Sequence, residues 1–99
     1  MEYELRIATI APGKLSAFLD AWSSQVVPLR KRLGFTLVSA WTAHETNRVI
    51  WILGFDGDEG LAAADAAYYA SEERLLFDPE PGEYIVNIER LPVAQAIAV

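Results

Sequence analysis

The amino-acid sequence predicts an α+β fold in which a four-stranded antiparallel sheet carries two helices on one face. Apolar residues alternate, then recur at helical spacing, and then alternate again along the chain, which gives the element order β-α-β-β-α-β. Clusters of turn residues separate these segments, so neighbouring elements are joined by short connections. Short connections and the handedness of strand crossovers arrange this order as the ferredoxin-like fold. We expect residues 1–99 to form one such domain.

The first predicted strand is Glu2–Ile10. Its odd-numbered positions are mostly apolar, whereas Glu2, Glu4 and Arg6 begin the even-numbered set. Alternation of this kind is typical of a strand with one buried and one solvent-exposed face. The sequence therefore predicts that these three charged side chains lie in solvent.

A long helical segment follows, over residues 14–33. Its apolar stripe consists of Leu15, Phe18, Leu19, Trp22, Val26, Leu29 and Leu33. Because Pro28 has no backbone donor, we expect either a kink near Ser24 or a second short helix with Pro28 in its first turn. The basic residues 30–32 could form an anion site, but their position favours a solvated helix end that complements the helix dipole.

The strands Phe35–Ala43 and Arg48–Phe55 form a hairpin and are apolar on both faces. An antiparallel sheet with helices on one side usually has a polar outer face. We therefore expect another surface to cover the outer face of this sheet.

The rest of the chain supplies a helix, a strand and a tail. Leu61–Ala70 is rich in alanine and predicts a closely packed helix, followed by a short helical turn over residues 72–77. Residues 83–91 predict the last strand, with Tyr84, Val86 and Ile88 on one face. Residues 92–99 are mostly apolar, so we expect them to pack against the body of the protein or against a second subunit.

Composition narrows the classes of function. A net charge of −6 argues against nucleic acid and anionic membranes as partners. The 53% share of hydrophobic residues exceeds what one small core easily buries, which favours association with a second copy. The first residues do not resemble a secretory signal, and we expect a cytoplasmic location.

The sequence offers no metal site and no cofactor motif. It has no cysteine and one histidine, which excludes thiolate chemistry and any site that needs two histidines. It also lacks the glycine-rich loops that bind nucleotides. We therefore predict neither a metal nor a cofactor.

Several segments resemble the NIPSNAP family, in an order and spacing that together span residues 2–91. They are Tyr3-Glu4-Leu5-Arg6, Pro12-Gly13-Lys14, Val27-Pro28-Leu29-Arg30, Gly34-Phe35, Trp41-Thr42, Asn47-Arg48-Val49-Ile50-Trp51, and Asp65-Ala66-Ala67-Tyr68-Tyr69-Ala70-Ser71 with Arg74. The resemblance implies a dimeric α/β barrel, in which two ferredoxin-like sheets pack face to face. It also implies a superfamily that includes cofactor-free monooxygenases, polyketide-type cyclases and many proteins of unknown role.

Three residues are candidates for catalysis. Asp65 falls on the packing face of its helix, where a carboxylate is costly unless it has a partner, and Tyr68, Tyr69 or Arg74 is within reach. A buried pair of Asp65 with a tyrosine could orient or deprotonate a phenolic or enolic substrate, or it could be a structural hydrogen bond. His44 could act as a general acid or base, although an exposed hairpin residue is the simpler interpretation.

Six further residues are candidates for substrate binding. They are Trp41, Trp51, Tyr69, Asn47, Arg48 and Arg74. The aromatic side chains could line a pocket, or they could belong to the core or a dimer interface. The polar side chains could hold a substrate anion, or they could be solvated.

These residues support three hypotheses. The first is a homodimer that binds a small aromatic or polyketide-like molecule between sheet and helices, and that could catalyse a cofactor-free oxidation, cyclisation or isomerisation. The second is a non-catalytic small-molecule-binding or regulatory module. The third, RNA binding, shares the element order but lacks the basic and aromatic motif of RNA-recognition domains, and it ranks last.

Overall fold

A computed structural model describes residues 1–98, which form a four-stranded antiparallel sheet with helices on one face. The strands are β1 Glu2–Ile10, β2 Phe35–Ala43, β3 Arg48–Phe55 and β4 Ile85–Val93. Their order across the sheet is β2-β3-β1-β4, and each neighbouring pair is antiparallel. The predicted ferredoxin-like α+β fold is confirmed.

The first helical segment is divided in two near the position where the sequence predicts a kink or a second helix. The α-helices are α1 Leu15–Ala21, α2 Val27–Arg32, α3 Leu61–Ala70 and α4 Glu72–Leu75. A π-helical turn, Trp22–Val26, joins α1 to α2, and the Val27 N–H donates to the carbonyl of Trp22. Pro28 lies in the first turn of α2, directly after this π-helical turn. None of the helices within residues 1–98 is long and apolar enough to cross a membrane.

The hydrophobic core lies between the sheet and the helices. The most deeply buried apolar side chains are Ala8, Ile10, Phe18, Leu29, Val49, Leu53 and Tyr68. They come from the two central strands and from both helical segments. The core is therefore one layer, and it fixes the helices against a single face of the sheet.

The exposed face predicted for the start of β1 is wrong. Arg6 is only 1% exposed, and it lies on the same side of the strand as the buried Ala8 and Ile10. The period of the alternation is correct, but the side that faces the helices is the charged one. Burial of Arg6 is possible because Glu4 and Asp65 bind its guanidinium.

The face predicted for the last strand is also wrong. A register shift opposite Thr9 and Ile10 leaves Val86 exposed at a bulge, whereas Ile85 and Ile88 pack against the core. The segment before the strand, Pro81–Tyr84, is a 3₁₀ turn. A bulge changes which side chains share a face, so simple alternation fails across it.

The outer face of the sheet is apolar, and none of the helices in the described part of the chain covers it. The register places Leu5 opposite Ile52 and Ile7 opposite Ile50 on the two central strands. The neighbouring strands add exposed apolar residues to this side, and these are Val38, Trp41, Leu91 and Val93. The two-sided apolar pattern of the strands thus corresponds to a real apolar surface.

The tail begins as an extension of the sheet. Pro92 and Val93 end β4 and pair with Glu4 and Tyr3 of β1. Residues 94–98 are exposed in the single chain, and Val99 lies outside the described residues. Packing of residues 92–99 against a second subunit remains a prediction.

Candidate functional site

A cavity of about 270 Å³ lies between the sheet and the helices. Its walls combine aromatic rings, aliphatic side chains and guanidinium groups. The lining residues are Arg6, Phe18, Trp22, Val26, Arg30, Leu37, Trp51, Tyr68, Tyr69, Arg74, Pro81, Gly82, Ile85, Ile88 and Arg90. Tyr69 and Arg90 are exposed, so the cavity meets solvent beside them.

Four of the six arginines of the chain line this cavity. Arg6 comes from β1, Arg30 from α2, Arg74 from α4 and Arg90 from β4. No carboxylate belongs to the lining, although the whole chain carries a net charge of −6. The fold therefore concentrates positive charge at one place in an acidic protein.

Asp65 joins two of these arginines behind the cavity wall. Its Oδ2 accepts from Arg6 Nη2 at 3.0 Å, and its Oδ1 accepts from Arg30 Nη1 at 2.7 Å. Arg6 Nε also donates to Glu4 Oε1 at 2.8 Å. The network connects a strand and two helices that are distant in sequence, and it neutralises the two most deeply buried cations.

The network fixes the ionisation of Asp65. Burial works against the charged carboxylate, but Arg6 and Arg30 outweigh it and hold the pKa of Asp65 below its ordinary value. Asp65 is therefore ionised at neutral pH, with each carboxylate oxygen already accepting a hydrogen bond. Such a carboxylate is a weak base, and its two oxygens hold the guanidinium groups of Arg6 and Arg30.

Aromatic rings hold the guanidinium of Arg30 in place. Its Cζ lies 3.5 Å from the ring centroid of Tyr68 and 4.6 Å from that of Phe35. Arginine stacked on an aromatic face gains cation–π attraction while its remaining N–H groups stay free to donate. Burial raises the pKa of Tyr68 although Arg30 and Arg74 oppose this, so its hydroxyl stays protonated at neutral pH.

A carboxylate holds the guanidinium of Arg74, which lies near the same two tyrosine rings as Arg30. Its two terminal nitrogens donate to both carboxylate oxygens of Glu80, at 2.6 and 2.7 Å. Glu80 Oε1 also accepts from the backbone N–H of Gly82 at 2.8 Å. This bidentate pair fixes residues 80–82, so the cavity has a preorganised wall.

Two buried donors beside the cavity have no protein acceptor. Trp22 Nε1 and Arg74 Nε make no hydrogen bond with the residues that the structure describes. Trp22 packs against Trp51 with 5.4 Å between ring centroids. Buried donors without a partner are costly, and here both belong to side chains that line the cavity.

The structure brings five of the predicted site residues together. Trp51, Tyr68, Tyr69 and Arg74 line the cavity, and Asp65 lies directly behind it. These residues come from β3, α3 and α4. Their functional roles remain predictions.

The other four predicted site residues lie outside the cavity lining. His44 is exposed in the turn between β2 and β3, with Nε2 3.0 Å from Thr42 Oγ1. Asn47 adopts a left-handed conformation with φ 56°, and its Nδ2 donates to the carbonyls of Ile10 and Ala11. This arrangement fastens the turn to the end of β1.

The remaining two of these four are exposed. Arg48 begins β3 beside the turn. Trp41 is 56% exposed, and its register opposite Ile50 places it on the outer face of the sheet.

Sequence reasoning missed Trp22, Arg6, Arg30 and Arg90 as residues of the site. The solvated end predicted for residues 30–32 is wrong for Arg30, which is 3% exposed. A signal was present, because Trp22, Val26 and Arg30 follow one another at intervals of four on the packing side of the helix.

The NIPSNAP family model matches residues 3–94 of this chain. A NIPSNAP domain protein from Burkholderia xenovorans has a similar structure, with a TM-score of 0.82 and 22% identity over 97% of this chain and 95% of the other. A protein from Agrobacterium tumefaciens gives a TM-score of 0.84 and 22% identity over 97% and 94% of the two chains.

The fold is also similar to that of an antibiotic biosynthesis monooxygenase. The TM-score is 0.71 and the identity 12%, over 98% of this chain and 100% of the other. At this level of identity the likeness concerns the fold. No curated protein matches this chain.

Proposed function

This chain belongs to the NIPSNAP family. From the residues that line its cavity, we propose that it binds a small, planar aromatic or polyketide-like molecule between the sheet and the helices. The observation that carries the proposal is the wall itself, in which Trp22, Trp51, Tyr68 and Tyr69 surround a space of about 270 Å³. Ligand sites are typically concave, largely apolar and provided with a few fixed polar groups. This cavity has all three properties.

Catalysis within the cavity is the more specific form of the proposal. Fixed guanidinium groups stabilise negative charge that develops on an enolate or phenolate, and the protonated Tyr68 can donate a hydrogen bond to it. The antibiotic biosynthesis monooxygenase with a similar fold makes cofactor-free oxidation the first reaction to test, followed by cyclisation and isomerisation.

A binding module without catalysis is the second candidate. The observation in its favour is the state of Asp65, whose two oxygens are engaged by arginines and whose pKa is lowered. A general base needs a pKa close to the working pH. Without a free base in the cavity, a bound molecule could simply be held.

The outer face of the sheet supports the proposal of a homodimer. Central apolar residues such as Leu5, Ile7 and Ile52 are only partly buried, and no helix within residues 1–98 covers them. Apolar surfaces of this kind mark sites of association. Two copies that pack these faces together would form the barrel that the family resemblance implies.

Extraction of the ligand tests the binding proposal. Protein purified without denaturation is extracted with organic solvent, and the extract is compared with that of two variants on the same strand. Ile88→Trp fills the cavity, whereas Val86→Trp places the same side chain at the exposed bulge. We expect an aromatic compound from the wild type and from Val86→Trp, and its loss from Ile88→Trp. Equal recovery from all three proteins, or from none, would contradict the proposal.

The extracted compound then separates catalysis from binding. It is incubated with the protein in air, and its mass and retention time are followed. Addition of oxygen indicates oxidation, and an isomer of unchanged mass indicates cyclisation or isomerisation. An unaltered compound supports the binding module.

A further inference from the structure

We propose that the cavity selects planar molecules that carry a carboxylate, with Arg90 and Arg74 as the contacts of that group. This inference rests on the proposed function and names its substrate class. The cavity has an aromatic part, around Trp22 and Trp51, and a cationic part. An aromatic acid satisfies both.

The charges at the cavity do not cancel. Among residues 1–98, three carboxylates pair with its four arginines, and they are Glu4, Asp65 and Glu80. None of the three carboxylates belongs to the lining, so the surface offered to a ligand carries cations only. A negatively charged group is therefore favoured at this surface, and a positively charged one is disfavoured.

Arg90 is the one arginine of the cavity lining that has no carboxylate partner within residues 1–98. It lies directly opposite Arg6 in the pairing of β1 with β4. Within residues 1–98 it makes no ion pair, whereas Arg6 has both Glu4 and Asp65. Because Arg6 is already compensated by two carboxylates, the positive charge that remains at this point of the cavity is that of Arg90, and a bound anion is attracted to it.

The unpartnered donors indicate the same chemistry. Trp22 Nε1 donates only, as does Arg74 Nε, and neither has an acceptor among the described residues. Trp22 is 91% buried, because its exposed fraction is 9%. A carboxylate supplies two acceptor oxygens and no donor, and it matches the planar fork of an arginine. A neutral amide supplies one acceptor oxygen, carries no charge and brings donors of its own, so it matches the cationic wall less well.

A matched pair of probes tests the proposal by isothermal titration calorimetry. The probes are 2-naphthoate and 2-naphthamide, which share a ring system and differ in charge. Each is titrated into wild type, Arg90→Gln, Trp22→Phe and Arg32→Gln. Arg32 is an exposed arginine outside the cavity and serves as the control for loss of one positive charge. Circular dichroism checks that each variant is folded.

We expect the wild type to bind 2-naphthoate at least ~10-fold more tightly than 2-naphthamide, the scale of a charged hydrogen bond. Arg90→Gln should remove most of this preference, Trp22→Phe should reduce it, and Arg32→Gln should leave it unchanged. Equal affinity for the two probes, with no effect of Arg90→Gln, would overturn the carboxylate preference and leave the aromatic site intact. Failure of both probes to bind, together with no extracted compound, would overturn the proposed function as well.

Discussion

The two faces of the sheet contain opposite kinds of group. Beneath the helices, where a core is normally apolar, Arg6 and Arg30 are buried with Asp65. On the outer face, where polar side chains are normal, Leu5 and Ile52 lie opposite one another without a cover. The covered face therefore contains more charge than a core usually buries, and the open face contains more apolar surface than a solvent-exposed face usually presents. We infer that ligand binding accounts for the first excess and a second subunit for the second.

The largest loss of stability is expected from a substitution in the ion-pair network of the covered face. Asp65→Asn leaves two buried guanidinium groups without their shared carboxylate, and breaking such a network typically costs ~3–5 kcal/mol of stability. Urea denaturation measures this loss. The control is Glu73→Gln, which removes the partner of the exposed Arg32 across a 3.5 Å ion pair and should change stability little. Equal stability of the two variants would show that the buried network is not structural.

The open face is tested by Ile52→Lys. A lysine in the centre of an apolar interface must lose its hydration without a partner, so the dimer dissociation constant should rise by ~100-fold or more. Analytical ultracentrifugation over a range of concentrations measures this constant. Ala63→Lys, on the exposed side of α3, adds the same charge away from the sheet and should leave association unchanged. A wild type that is monomeric at every concentration would contradict the dimer.

Acid should lower the stability that the ion pairs of the covered face contribute before it affects association through the open face. The folded pKa of Asp65 lies below its ordinary value of 3.8, so its contribution to stability is present above pH 3.8 and is lost as the pH falls through the folded pKa. The difference in unfolding free energy between wild type and Asp65→Asn should therefore shrink below pH 3.8 and be constant above it. Urea denaturation from about pH 2 to pH 6 measures both curves. A difference that grows as the pH falls would contradict the assignment.

The smallest effect is expected at the turn outside both surfaces. His44→Ala removes an exposed contact with Thr42 and should change stability by less than about 0.5 kcal/mol. Binding of 2-naphthoate should be unaffected, because His44 does not line the cavity. Loss of binding or of turnover in this variant would instead support His44 as a site residue.

The contrast between the faces also explains what could be predicted from the sequence. The order of elements follows from local periodicity, and so does the two-sided apolar character of the central strands. The burial of Arg6 does not, because its partner Asp65 is 59 positions away and no local pattern encodes that contact. The bulge at Val86 could not be predicted for a similar reason, since it arises from the pairing of β4 with β1.

The candidate site also contains some residues that could be predicted from the sequence and others that could not. Trp51, Tyr68, Tyr69 and Arg74 could be selected from residue type and position. The convergence of four arginines could not, because each comes from a different strand or helix and each has an ordinary solvated interpretation in its own segment. Only the tertiary fold shows that they share one cavity.

Native mass spectrometry of freshly purified protein is the decisive measurement, because one spectrum reports both the bound molecule and the second subunit. We predict a species near twice the 11.0 kDa chain mass, with additional small-molecule mass that disappears on denaturation. Repetition with Ile88→Trp should keep the dimer and remove the additional mass. A bare monomer of 11.0 kDa, without any bound compound, would contradict the account of both faces.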